Sequence, residues 1–89
     1  MTPTPEEIAG VRRFIVVETA NLEKLRGDVQ KIECELATLR MVKHIGGLIR
    51  EEVSRLENLE TELELYSWEV NARAVRLDKL KAAVEDVTD

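Results

Sequence analysis

Apolar residues recur along the first half of the chain at alternating spacings of three and four, which is the pattern of an α-helical coiled coil. Nine of ten successive positions on this seam are apolar, and the exception is Glu18. Thr4, Pro5 and Glu7 form a capping box with proline at the first helical position, so a helix is predicted over about residues 5–44. The apolar seam positions are Ile8, Val11, Ile15, Leu22, Leu25, Val29, Ile32, Leu36 and Leu39.

The second half of the chain repeats this pattern and predicts a second helix of similar length, over about residues 49–87. Again nine of ten seam positions are apolar, and here the exception is Arg73. One helical domain covering residues 1–89, with a turn at about residues 45–48, follows from the two halves. The second set of apolar seam positions is Leu56, Leu59, Leu63, Tyr66, Val70, Leu77, Leu80, Val84 and Val87.

The two seams are out of frame by one residue, and they break at Gly46-Gly47. Coiled coils absorb insertions of three or four residues, and a slip of one is not among these simple cases. Glycine is unfavourable inside a helix and preferred just after a helix ends, so the glycines are predicted to form a turn. No Ser, Thr, Asp or Asn precedes Leu48 to cap the second helix, and one continuous, bent helix remains the alternative.

The charged residues within the seams favour a hairpin. In a parallel, in-register dimer of continuous helices, Glu18 would face Glu18 and Arg73 would face Arg73. Folding at the glycines instead pairs core residues whose numbers sum to about 95, and this places Glu18 and Arg73 in adjacent layers. The prediction is therefore an antiparallel two-helix coiled-coil hairpin in which Glu18 and Arg73 set the register. In the alternative reading, both side chains reach solvent separately.

A second apolar stripe is predicted on the outer face of the second helix. Leu65, Trp68, Ala72 and Val75 follow one another at spacings of three, four and three residues, opposite the core seam. Single exposed apolar residues are ordinary, but four in helical phase that include a tryptophan are typical of a protein-binding surface. In the first helix, Phe14 and Val17 also lie off the seam, and they are predicted to belong to the same interface.

Composition narrows the environment and the class of partner. The net charge is −5, and residues 48–89 carry eleven acidic but only six basic residues, which argues against nucleic acid or an anionic membrane as the partner. Cys34 is the single cysteine, so an intrachain disulfide is impossible. The longest strongly apolar run, residues 14–17, is far too short to span a bilayer. A soluble protein of the cytoplasm or another intracellular compartment is predicted.

The sequence offers little for catalysis. His44 and Cys34 occur once each and are ten residues apart on one predicted helix, so neither a metal site nor a Cys-His nucleophile is indicated. Gly46-Gly47 lacks the surrounding residues of a phosphate-binding loop. We expect no catalytic site, no metal, no cofactor and no enzymatic activity.

These observations favour an interaction module: a helical hairpin that docks a protein partner, as a scaffold, adaptor or assembly subunit. A second interpretation is a self-assembling structural element, in which two copies bury the Leu65–Val75 stripe against each other as a four-helix bundle. A third is a continuous helix that forms a dimeric rod. The partner is thus either another protein or a second copy, in a dimer or a hetero-complex.

Overall fold

A computed structural model describes residues 2–87 of the protein. These residues form a helical hairpin. Helix α1 spans Pro5–Ile45 and helix α2 spans Arg50–Val87, and the two pack antiparallel along their length. The molecule measures 62 × 18 × 16 Å. The predicted all-α hairpin with its reversal at Gly46-Gly47 is confirmed. Side chains are described for residues 2–86, so the predicted core position of Val87 lies outside the described side chains.

Helix α1 begins with the capping box that the sequence predicts. The Thr4 hydroxyl oxygen accepts a hydrogen bond from the Glu7 backbone N–H at 3.2 Å. The Glu7 carboxylate in turn accepts one from the Thr4 N–H at 3.3 Å. Pro5, which has no N–H to leave unpaired, occupies the first helical position. Two of the backbone donors that a helix start exposes are thereby satisfied.

The turn uses its two glycines differently. The Gly46 N–H donates to the Val42 carbonyl at 2.9 Å, and its φ of −123° is open to any residue. Gly47 also donates to Val42, at 3.1 Å, but its φ is +80°. This left-handed conformation costs other residues about 1 kcal/mol or more, so the reversal depends on glycine at position 47 rather than at both.

Helix α2 begins at Arg50, one residue later than the sequence predicts, and the turn therefore covers residues 46–49. The Ile49 N–H donates to the Glu52 carboxylate at 3.0 Å, which is one half of a capping box. A carboxylate in the first turn is also favourable beside the positive end of the helix dipole. No Ser, Thr, Asp or Asn precedes Leu48 to cap α2, and the Glu52 carboxylate takes over this role.

The core is a single seam between the helices. Leu36 and Leu59 are each 1% exposed. The predicted register places these two residues opposite each other. They belong to a cluster near the turn, and Leu22 and Leu77, each 4% exposed, continue the seam toward the open end. Because each helix buries only one stripe, the opposite faces of both helices remain on the surface. The cluster near the turn comprises Ile32, Leu36, Leu56 and Leu59, with Leu39, Leu48, Leu63 and Tyr66 packed against it.

Candidate protein-binding site

A buried carboxylate lies in the seam between the helices. Glu18 is 5% exposed, although it is charged. Its Oε1 accepts a hydrogen bond from Arg73 Nη1 at 3.1 Å, so the structure brings together the two charged residues that interrupt the seams. Arg76 Nη2 lies 2.9 Å from the same oxygen. Glu18 thus has two guanidinium partners from α2, and a buried carboxylate needs such partners to be tolerated.

The two arginines extend this pair into a network that reaches the surface. Arg73 also donates to Glu69 Oε1, with its Nε at 3.1 Å and its Nη2 at 3.0 Å. The Arg76 guanidinium lies over the Phe14 ring, 5.3 Å from its centre, in a cation–π contact. Among the described residues, no buried side-chain polar atom lacks a partner. We refer to Glu18, Arg73, Arg76 and Glu69 as the Glu18 network.

A second ion pair joins the helices nearer the turn. Arg55 Nη2 lies 2.7 Å from Glu35 Oε2, and both side chains are about half exposed. The hydrogen bond to Glu35 and the charge of that carboxylate raise the pKa of Arg55. An exposed pair of this kind adds little stability, but its position flanking the seam is consistent with the same register as the Glu18 network.

The predicted outer stripe of α2 is on the surface. Trp68 is 72% exposed, Leu65 is 62% exposed and Val75 is 54% exposed, and Ala72 between them is also exposed. The four follow the helical repeat on the side of α2 that faces away from α1. An apolar face that stays in phase over three turns, with a tryptophan inside it, is unusual on a small protein that needs no partner. We call these four residues the Trp68 stripe.

The two candidate interface residues of α1 lie toward the open end of the hairpin. Both side chains are exposed. The contact between Phe14 and Arg76 places that ring level with the end of the Trp68 stripe next to Val75. Trp68 is eight residues from Arg76, which is about 12 Å along the helix. Phe14 therefore adjoins one end of the stripe rather than its centre.

The turn end carries a further apolar surface that the sequence interpretation missed. Ile45 and Ile49 are both largely exposed. Their exposure has a simple cause: the seam requires two helices side by side, and at the reversal each residue has no facing helix. The break in frame at the glycines was the signal that could have shown it. The exposed apolar residues at this end are Met41, Val42, Ile45, Ile49 and Val53.

The described part of the chain was also searched for metal sites, disulfides and membrane-spanning segments. No group of three or more His, Cys, Asp or Glu side chains there could hold a metal ion. Cys34 is exposed and unpaired by any disulfide. Neither α1 nor α2 contains a segment apolar enough to cross a membrane. The absence of enzymatic activity and of cofactors stays a prediction.

Comparisons with known proteins identify no relative from which a function could be inferred. No protein-family model matches the chain, and neither the curated proteins nor the solved structures give a significant match. A shared helical hairpin would in any case say little about function, because function depends on the site that a fold carries. The exposed Trp68 stripe and the network beneath it are therefore the features from which a function can be argued.

Proposed function

We propose that this protein is a non-catalytic coiled-coil interaction module, a scaffold, adaptor or assembly subunit, that docks a protein partner through the Trp68 stripe. Phe14 and Val17 extend this surface at its Val75 end. The hairpin holds the stripe on a helix whose other side is fixed in the core, so little conformational freedom is lost when a partner binds.

The observation that carries this proposal is the exposure of Trp68 at 72%, with Leu65 at 62% one turn before it. Removing apolar surface from water contributes about 25 cal/mol per Å², and a tryptophan can bury roughly 150–250 Å². Because 72% of Trp68 is exposed, its burial by a partner would contribute about 3–4.5 kcal/mol before the costs of association. Helix faces with anchors three and four residues apart are a common mode of protein recognition.

The role of Trp68 in binding is tested with Trp68→Asp. This change is expected to weaken partner binding at least about 30-fold, which corresponds to about 2 kcal/mol. Because the side chain is largely exposed, the thermal midpoint and the helical circular dichroism should stay close to those of the wild type. The measurement is capture of partners from cell extract, followed by binding of each captured protein in purified form and by sedimentation of the chain alone.

The matched control is Ala37→Asp, which adds the same charge to an exposed position of α1, away from the Trp68 stripe. It should bind as the wild type does. Equal binding of wild type and Trp68→Asp, both to purified partners and in self-association, would contradict the assignment of this surface.

A further inference from the structure

The charges of α2 are distributed asymmetrically about the centre of the Trp68 stripe. Residues 57–69 contain five glutamates and no basic residue. Residues 71–83, an equally long segment on the other side of Val70, contain four basic residues and one aspartate. A surface whose two halves carry opposite charge is complementary to itself when a second copy is turned end for end.

The apolar residues of the stripe have the same symmetry. Their spacing of three, four and three residues reads identically in both directions. A two-fold axis that pairs residues whose numbers sum to 140 places Leu65 against Val75. It also places Trp68, the largest side chain of the stripe, against Ala72, the smallest. Large side chains opposite small ones let the two helices approach and interlock across the axis.

The residues that flank this second seam also match. In the same arrangement, Glu69 of one copy lies across from Arg76 of the other, and the axis generates this pair twice. Both side chains have surface available for it, since Glu69 is 40% and Arg76 is 53% exposed despite their bonds within the hairpin. The Glu35–Arg55 pair already shows one such flanking contact between α1 and α2.

A parallel arrangement of two copies would be unfavourable. It would set Trp68 against Trp68, so the bulkiest side chains of both copies would meet in one layer. It would also set the five glutamates of residues 57–69 against their own copies with no basic residue between them. Like charges brought together across an interface weaken association, so the charge pattern selects the antiparallel orientation.

We propose that the occupant of the Trp68 stripe is a second copy of this chain, which packs antiparallel through α2 about a two-fold axis that crosses the stripe between Trp68 and Ala72. This inference rests on the proposed function and names its partner. Four apolar layers on each helix bury less than the roughly 800 Å² per partner of a typical stable complex. The dimer is therefore expected to dissociate in the micromolar range, and to weaken as added salt screens its flanking charges.

Disulfide trapping tests the orientation of the two copies. Two single-cysteine chains are made in a Cys34→Ser background, one with Thr61→Cys and one with Lys79→Cys. The proposed axis sets position 61 against position 79, within the roughly 4–7 Å between Cα atoms that a disulfide requires. Positions 61 of two copies are then 18 residues apart along the seam, which is about 27 Å. In a glutathione buffer, the mixture should form the mixed disulfide well above the level of either homodisulfide.

The oligomeric state is measured in parallel by sedimentation from micromolar to millimolar chain concentration. Wild type should dimerise, and Trp68→Asp should raise the dissociation constant at least about 30-fold and abolish the mixed disulfide. Preferential homodisulfide at position 61, or a wild type that stays monomeric, would overturn the second-copy inference. If Trp68→Asp still abolishes binding of another purified protein in that case, the proposed function stands. If it changes no association at all, both proposals are wrong.

Discussion

Replacing both arginines that contact Glu18, by Arg73→Met and Arg76→Met together, is expected to lower the free energy of unfolding by about 3 kcal/mol. Glu18 is 5% exposed and would keep its carboxylate in the seam with both guanidinium groups gone. Methionine retains much of the apolar stem of each arginine, so the loss reports the missing charges more than missing packing. Urea unfolding followed by circular dichroism gives the difference in free energy.

The control for this prediction removes the carboxylate as well. Adding Glu18→Leu to the two methionines should restore the free energy of unfolding to within about 1 kcal/mol of the wild type, or raise it above, since an apolar replacement of a buried charge cluster is often neutral or stabilising. A double methionine variant as stable as the wild type would mean that Glu18 reaches solvent without its arginines. That result would contradict a structural role for the network.

The same apolar variant tests whether the Glu18 network sets the register. Without Glu18 and its arginines, the seam away from the turn is apolar throughout, so its layers no longer distinguish one alignment of the helices from a shifted one. We expect the triple variant to show a broader distribution of distances between α1 and α2 than the wild type, although it is at least comparably stable. A distribution as narrow as that of the wild type would mean that the Glu18 network does not set the register and is only a tolerated buried charge.

The second large effect is expected for Leu36→Ala, which should lower the free energy of unfolding by about 3 kcal/mol. Leu36 is 1% exposed and packs in the cluster with Leu56 and Leu59. The truncation removes apolar contacts and leaves a cavity that a two-helix core has few neighbours to fill. The measurement is again urea unfolding, at a chain concentration low enough to keep the hairpin monomeric.

Leu65→Ala is the matched control, because it is the same substitution on the outer side of α2. Leu65 is 62% exposed, so its truncation should change the free energy of unfolding by less than about 0.5 kcal/mol. It should instead weaken self-association at high concentration. Equal destabilisation by the two substitutions would mean that α2 buries the Trp68 stripe, and would contradict the assignment of the core.

Much of the fold follows from the sequence because the relevant signals are periodic. The slip of one residue between the two seams locates the reversal, since no continuous coiled coil explains it easily. The pairing of core residues whose numbers sum to about 95 predicts that Glu18 lies near Arg73. This prediction holds because helix geometry is regular over many turns. The exposure of Trp68 and Leu65 follows in the same way, from their position opposite the seam.

The features that the sequence interpretation missed depend on the reach of single side chains. Arg76 lies outside the seam, and only its long side chain allows it to bind Glu18 and cover Phe14. Glu52 caps α2 from within the helix, so a search for small polar residues before the helix overlooks it. The apolar surface at the turn, with Ile45 and Ile49, arises where the periodic pattern ends. The periodicity of apolar residues does not show where individual side chains reach or which residue caps a helix.

The central claim is that one chain folds back on itself at Gly46-Gly47, so that α1 and α2 pack antiparallel within one molecule. Spin labels at Glu23→Cys and Asn71→Cys, in a Cys34→Ser background, test it most directly. The labelled chain is unfolded and refolded with a large excess of unlabelled chain, so that only distances within one chain are measured. The hairpin predicts a label separation below about 30 Å, since helices in contact have axes about 10 Å apart. A separation near 70 Å, the length of a continuous helix over these 48 residues, would contradict it.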